Sequence, residues 1–267
     1  SHLGKFAHEK KMPTWLAKKL GKDGQVSCQD VIPALQRLLL QSQRTEFAYT
    51  SDPRVVHVSK LHREGSFCGY RNIQSLASFI IGAKALGHEH FDHGIPSVFE
   101  IQDLIESAWD QGFNAQGRAE TGGIKGTRKY IGTPEAQALF CGLGIPSSVE
   151  AFRPAKDEAP WQNLIKAVAK YFSQEESEAD EKIRRTSLPP IYLQHKGHSM
   201  TIVGVEKQGD GSWNLLVLDP SNRDPESIKK SRKSVDKRKR YPQFDLLLEP
   251  YRRGEKYLSK YDEFEVL

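Results

Sequence analysis

The hydrophobic period of this chain changes once, and no other feature constrains its fold as much. Up to about residue 172 the apolar residues recur at helical spacing. In "PSVFEIQDLIESAWDQG" they are Val98, Ile101, Leu104, Ile105 and Ala108, one face of an amphipathic helix closing at Gly112. "SCQDVIPALQRLLLQS" reads as a helix that Ser27 or Asp30 caps, with Pro33 near its first turn. "GTPEAQALFCGLG" reads as another, capped by Thr133. "APWQNLIKAVAKYFS" continues the pattern, and between the helices "RVVHVS" and "SVEAF" read as short strands. After residue 187 come three β-branched runs, "PPIYLQH", "SMTIVGVE" and "WNLLVLD". The last two are joined by "KQGDGS", a hairpin turn. Helices first and antiparallel strands second define an α+β domain. Residues 174–187 read as a charged loop, the segment from Asp224 as a helix, and "QFDLLLEP" as a late strand.

Composition narrows the class. The chain has 267 residues, enough to bury a core without disulfides, and three cysteines, a count suited to a reducing compartment. No apolar run approaches the ~20 residues of a membrane span. The expectation is a monomer of the cytoplasm or nucleus. The net charge is +5, but residues 229–240, "KKSRKSVDKRKR", hold eight basic residues against one acidic. The basicity is that one segment, read as a solvated helix face, so nucleic acid is not an expected partner.

Chemistry concentrates on a few residues. Cys68 lies in "GSFCGYRN", at the mouth of a helix from about Gly69 to Ala85. A helix N-terminus offers partial positive charge and free N–H groups, which activate a thiol. Cys141, in "ALFCGLG", reads as an inert core cysteine. His198 opens one apolar strand and Asp219 ends the next. A hairpin across "KQGDGS" makes the two neighbours, with the carboxylate fixing the imidazole tautomer. The order Cys68, His198, Asp219 is that of papain-like hydrolases. Gln194, four residues before His198, is the best side-chain donor for an oxyanion, alongside the Cys68 N–H. "GHEHFDHG" offers His88, His90, Asp92 and His93, but no further ligand pattern stands near it. No metal or cofactor is expected.

Five stretches, "CGYRNIQSL", "SAWDQGFNAQG", "GTRKYIGTPEA", "PPIYLQHKGHSMTIVGVE" and "LLVLDPS", resemble the C78 peptidases in the family's own order. The likeness is greatest to the branch of zinc-finger-containing deubiquitinases. "KFAHEKKMP" resembles the end of that branch's helical arm, so residues 1–26 are assigned to an arm and residues 27–267 to a papain-like catalytic domain. No zinc fingers precede it here, as in an isolated catalytic domain or a fungal-type member.

The resemblance implies a thiol-dependent hydrolase of isopeptide bonds at the C-terminal glycine of ubiquitin, with ubiquitin and polyubiquitin chains as partners. It implies Cys68 as nucleophile, His198 as base, Asp219 as orienter and Gln194 as oxyanion donor. Tyr130 and Glu135 stand where the family holds the arginine-bearing ubiquitin tail. Asn114 stands at the family's aspartate after Gly-Phe. Two other readings compete. The sister branch, directed at the ubiquitin-fold modifier, carries its histidine two residues after the aspartate, where this chain has Ser221. A non-catalytic ubiquitin-binding module would not need Cys68, His198 and Asp219 together.

Overall fold

A computed structural model describes residues 4–22, 24–156, 158–175, 181–225, 228 and 242–267. The basic run at 229–240 and nearly all of the helix expected around it lie outside the described residues.

The helical half is α1 (Thr14–Lys22), α2 (Val31–Gln41), α3 (Cys68–Ala83), α4 (Val98–Asp110), α5 (Gln116–Thr121), α6 (Thr133–Gly142) and α7 (Pro160–Phe172). The period-3.6 apolar faces bury as expected: Val98, Ile101, Ile105 and Ala108 of α4 are core residues, whereas Leu104 is only partly covered. Ser97 caps α4 in a reciprocal pair with Glu100. Two caps differ from expectation. Asp30 precedes α2 in a left-handed conformation, φ 58°, and its side chain makes no cap bond. At α6 the cap position is Gly132, and Thr133 is already helical and buried. Glu135 closes this end by accepting the Gly132 N–H at 2.7 Å.

The strands are β1 (Val26–Cys28), β2 (Thr45–Thr50), β3 (His57–Ser59), β4 (Glu150–Phe152), β5 (Ile183–Arg185), β6 (Ile191–His195), β7 (His198–Gln208), β8 (Trp213–Leu218), β9 (Arg252–Gly254) and β10 (Phe264–Val266). β1 and β3 form a separate antiparallel pair. The main sheet is organised by β7, the long run whose β-branched residues were legible. β6 pairs with its first half and β2 with its second. β8 runs antiparallel across both halves, as the "KQGDGS" turn required.

Three elements correct the sequence reading. β2 stands between α2 and α3 in sequence yet lies inside the sheet, so the sheet does not simply follow the helical part. Residues 183–185, expected in a loop, form β5 and pair in parallel with β2. "QFDLLLEP" is not a strand: Pro242–Leu248 is helix α8, because Phe244 and Leu248, one helical turn apart, both join the core shared with α2. A last short helix, α9 (Glu255–Leu258), follows β9.

Two cores flank the sheet. One joins α1–α4 and α6 to Tyr192, Val203, Leu216 and Leu218. The other packs α7 on Leu193, Met200, Ile202, Leu215 and Val217. The alternation of Leu215 and Val217 against Leu216 and Leu218 follows from the two-residue strand period. α3 is buried nearly all round, including its polar residues Arg71, Asn72 and Gln74. This central helix carries Cys68 at its first position.

Candidate active site

Cys68 is placed by its own helix and by what grips it. Arg71, fully buried, forks onto Glu64, with Nη2 2.6 Å from Oε2 and Nε 3.1 Å from Oε1. Glu64 also accepts the Leu61 N–H at 2.8 Å, so the pair ties the loop before the cysteine to the helix after it. One position further on, Asn72 clamps α3 to β7. Its Nδ2 donates to Ser199 Oγ at 2.9 Å, and its Oδ1 accepts from Thr201 Oγ1 at 2.9 Å. Ser199 follows His198, so the clamp fixes the thiol relative to the imidazole.

His198 and Asp219 meet as the hairpin predicts: Nε2 stands 2.8 Å from Oδ1. Burial pushes the His198 imidazole down, but Asp219 and Cys68 outweigh it and raise the pKa to about 9. Burial pushes the Cys68 thiol up, and hydrogen bonding and charge from His198, with help from Ser199, more than reverse this. Both directions favour a thiolate beside an imidazolium. Asp219 loses some ionisation to burial but is held well below the usual carboxylate range by His198, the Ser221 N–H and Arg253.

The loop carrying Asp219 is held by residues that sequence reading did not single out. Arg253 Nη2 donates to Asp219 Oδ2 at 2.8 Å. His57 Nε2 lies 3.1 Å from the Asp219 carbonyl oxygen, and its Nδ1 lies 2.8 Å from Asp224 Oδ2. Tyr251 donates to Asp224 Oδ1 at 2.6 Å. His57 was visible in the run "RVVHVS", but nothing local links it to Asp219, 162 residues away.

Gln194 lies on β6 opposite Ser199, the residue that follows His198. Its Nε2 contacts the Tyr130 hydroxyl and donates to the His195 carbonyl at 2.8 Å. The Tyr130 phenol therefore sits against the Gln194 side chain. Burial, then the nearby Cys68, pushes its ionisation well above the ordinary tyrosine range, so it keeps its proton. The segment Tyr130–Gly132 passes so close to the start of α3 that a Cβ on Gly69 would lie 2.6 Å from the Ile131 carbonyl oxygen. Glycine at 69 is what lets these two segments pack this closely.

Glu135 is bound to the Gly132 N–H of the same segment. Burial pushes its carboxyl up, the Gly132 N–H pulls it back, and Glu120 and Glu265 push it further up. Asn114 is exposed and tied to α6, donating to Pro134 O at 2.9 Å and Gln137 Oε1 at 3.2 Å.

The remaining cysteines differ from Cys68. Cys141 is half-buried rather than enclosed, 3.5 Å from Ser147 Oγ, near the C-terminal end of α6. Cys28 is buried in β1 and bonds to the Gln29 carbonyl. Of the histidine loop, His88–Phe91 forms a 3-10 turn that buries Phe91 while His88 and His90 face Glu89 at the surface. Among the described residues no helix is long and apolar enough to cross a membrane. A cleft of about 700 Å³ lined by Arg44, Trp213, Asn214 and Lys260 includes neither Cys68 nor His198.

A thiol at the mouth of a buried central helix, facing a His–Asp pair on an antiparallel hairpin, defines a papain-like cysteine peptidase domain. The chain belongs to peptidase family C78, whose family model matches residues 44–267. It is 34% identical over 220 residues to the human zinc finger-containing ubiquitin peptidase 1, covering 80% of this chain and 37% of that protein. The mouse protein of the same name is 35% identical over 210 residues, covering 74% of this chain and 35% of that one. The chain thus spans little more than a third of the length of these relatives. The Schizosaccharomyces pombe ubiquitin carboxyl-terminal hydrolase mug105 is 33% identical over 155 residues, covering 57% of this chain and 59% of it. In three dimensions the fold is similar to that of UfSP from C. elegans, with a TM-score of 0.51, 16% identity, and coverage of 91% of this chain and 36% of that one.

Proposed function

We propose that this chain is a deubiquitinase that hydrolyses isopeptide bonds at the C-terminal glycine of ubiquitin, including those in polyubiquitin chains. The observation that carries the reading is the His198–Asp219 pair at 2.8 Å beside a thiol whose ionisation it favours. The curated relatives are named as ubiquitin peptidases, which points the same way.

The Cys68 thiolate attacks the terminal glycine carbonyl, forming an S–C bond. The carbonyl oxygen takes the negative charge, met by the Cys68 N–H and Gln194, with the Tyr130 hydroxyl adjacent. His198 gives its proton to the departing lysine amine as the C–N bond breaks, leaving a thioester. His198 then takes a proton from water, whose oxygen attacks the thioester and releases the carboxylate and the thiol. Asp219 holds the ring and supports its charged form throughout. Glu135 supplies negative charge for the arginines upstream.

The likeness in fold to UfSP favours a second reading, hydrolysis of the ubiquitin-fold modifier. Ser221 stands where that branch carries its histidine, which speaks against it. Turnover of fluorogenic C-terminal amides of both modifiers decides. Cleavage of the ubiquitin substrate, lost in Cys68→Ala, supports the proposal; preference for the other modifier overturns it.

A further inference from the structure

Around His198 the contacts close into a ring. Asp219 Oδ1 faces His198 Nε2 at 2.8 Å, and Asp219 Oδ2 accepts a hydrogen bond from Arg253 Nη2 at 2.8 Å. The Arg253 guanidinium lies over the Tyr257 ring, 4.9 Å from its centroid. The Tyr257 hydroxyl donates to His195 Nε2 at 2.8 Å. The His195 ring meets the His198 ring edge-on at 5.9 Å and is stacked on Tyr261 at 3.7 Å. His195 Nδ1 faces the Lys196 carbonyl, so His195 is a single neutral tautomer, donor at Nδ1 and acceptor at Nε2.

Arg253 is the member that bears on Asp219 directly. It sits on β9, opposite Leu215 of β8, on the strand beside the one that leads into Asp219. Nη1 donates to the carbonyl oxygens of Pro250 and Arg252, each at 2.9 Å. Two of its bonds are therefore fixed to main chain and neutral. Asp219 is the anion it pairs with among the described residues, and both side chains are about nine-tenths buried.

We propose that Arg253 is a positioning residue for catalysis, fixing the Asp219 carboxylate through its second oxygen and thereby setting the proton affinity of His198. This rests on the reading of Cys68, His198 and Asp219 as the hydrolytic machinery. An uncompensated carboxylate grips an imidazolium more tightly than one already paired with a guanidinium. Arg253 thus keeps His198 from holding its proton too strongly to pass it to the leaving amine. The groups facing His198 are Cys68 from α3, His195 from β6, Asp219 after β8 and, through Asp219, Arg253 from β9. His57 of β3 reaches Asp219 only through its carbonyl, Tyr257 of α9 acts through His195, and Lys196 in the turn is exposed.

The test compares Arg253→Gln, Arg253→Met and Arg253→Lys in the full chain by two readouts across pH. One is kcat and KM on a fluorogenic ubiquitin amide. The other is the rate of Cys68 alkylation by iodoacetamide, followed at the Cys68 peptide by mass spectrometry, which needs no ubiquitin substrate. The neutral variants are expected to lose roughly ten-fold or more in kcat at little change in KM. Their alkaline limb should move up by about half to one pH unit in both readouts. Arg253→Lys should lose kcat while its limb stays with the wild type. Limbs that coincide in folded neutral variants and wild type would overturn the proposal, as would a downward shift. If neither neutral variant folds, lowered kcat in Arg253→Lys at unshifted pH dependence supports it, and wild-type kcat there counts against it. An active Cys68 alkylation profile without ubiquitin turnover would fault the substrate reading and leave the role of Arg253 measurable.

Discussion

Because His198 Nε2 is bound to Asp219 Oδ1 at 2.8 Å, Nδ1 is the ring nitrogen left to serve Cys68. The carboxylate thereby decides both which tautomer forms and which proton is transferred. The pair is made by a hairpin, the most local long-range contact available to a chain, while the thiol arrives from a helix on the far side of the sequence.

The pH profile follows from these groups. The active thiolate–imidazolium pair exists above the lowered Cys68 pKa and below the raised His198 pKa of about 9. Activity is expected to rise at a pH below the ordinary thiol range and to fall as pH passes about 9. A kcat/KM profile on a fluorogenic ubiquitin amide checks this. A single rise centred on the ordinary cysteine pKa of roughly 8.5 would show that no ion pair forms.

Asp219→Asn keeps the shape of the carboxylate but supports the wrong tautomer and leaves Arg253 without its anion. A loss in kcat of about two to four orders of magnitude is expected, with KM little changed. Steady-state kinetics on the folded variant measures it. A ten-fold loss or less would mean that Asp219 is dispensable for orientation.

Glu135 has two tasks that a single truncation would confuse, since its carboxylate also accepts the Gly132 N–H at 2.7 Å. Glu135→Gln retains the cap and removes the charge. It is expected to leave Tm within a degree or two while lowering kcat/KM on ubiquitin roughly ten-fold, the worth of a charge-assisted bond to a tail arginine. Unchanged kcat/KM would remove Glu135 from tail recognition. Glu135→Ala should add a cap loss of about 1 kcal/mol in stability.

Glu64→Gln leaves the fully buried Arg71 guanidinium facing a neutral amide. A buried ion pair broken on one side costs about 3–5 kcal/mol. Denaturant unfolding should show that loss. Alkylation of Cys68 in the folded fraction should slow as well, since the same pair fixes the loop entering α3. Stability within about 1 kcal/mol of wild type would contradict the role assigned to the pair.

The residues that the sequence made legible share one property: each stands at the end of an apolar element. Cys68 opens a helix, while His198 opens a strand and Asp219 follows the next. Period and turn chemistry therefore placed them before any contact was known. Arg253, Asn72 and His57 were illegible because their meaning lies in partners 34, 127 and 162 residues away, which no local pattern encodes. Residues 242–248 were misread because a short apolar run has no clear period, and contact with α2 decides for helix. β5 was taken for loop because its strand state depends on an edge supplied by β2. Tyr130 and Glu135 were singled out through family likeness. Their contacts with Gln194 and Gly132 emerge only once the chain is packed.

The proposed nucleophile toward ubiquitin's C-terminal glycine is Cys68. The most direct measurement is incubation of the chain with ubiquitin carrying a C-terminal propargylamide, followed by intact mass and peptide mapping. The account predicts one ubiquitin adduct per chain, located on Cys68, abolished in Cys68→Ala, retained in Cys141→Ala, and absent or far slower with the propargylamide of the ubiquitin-fold modifier. An adduct on Cys28 or Cys141, a faster reaction with the other modifier, or no adduct from folded protein would contradict it.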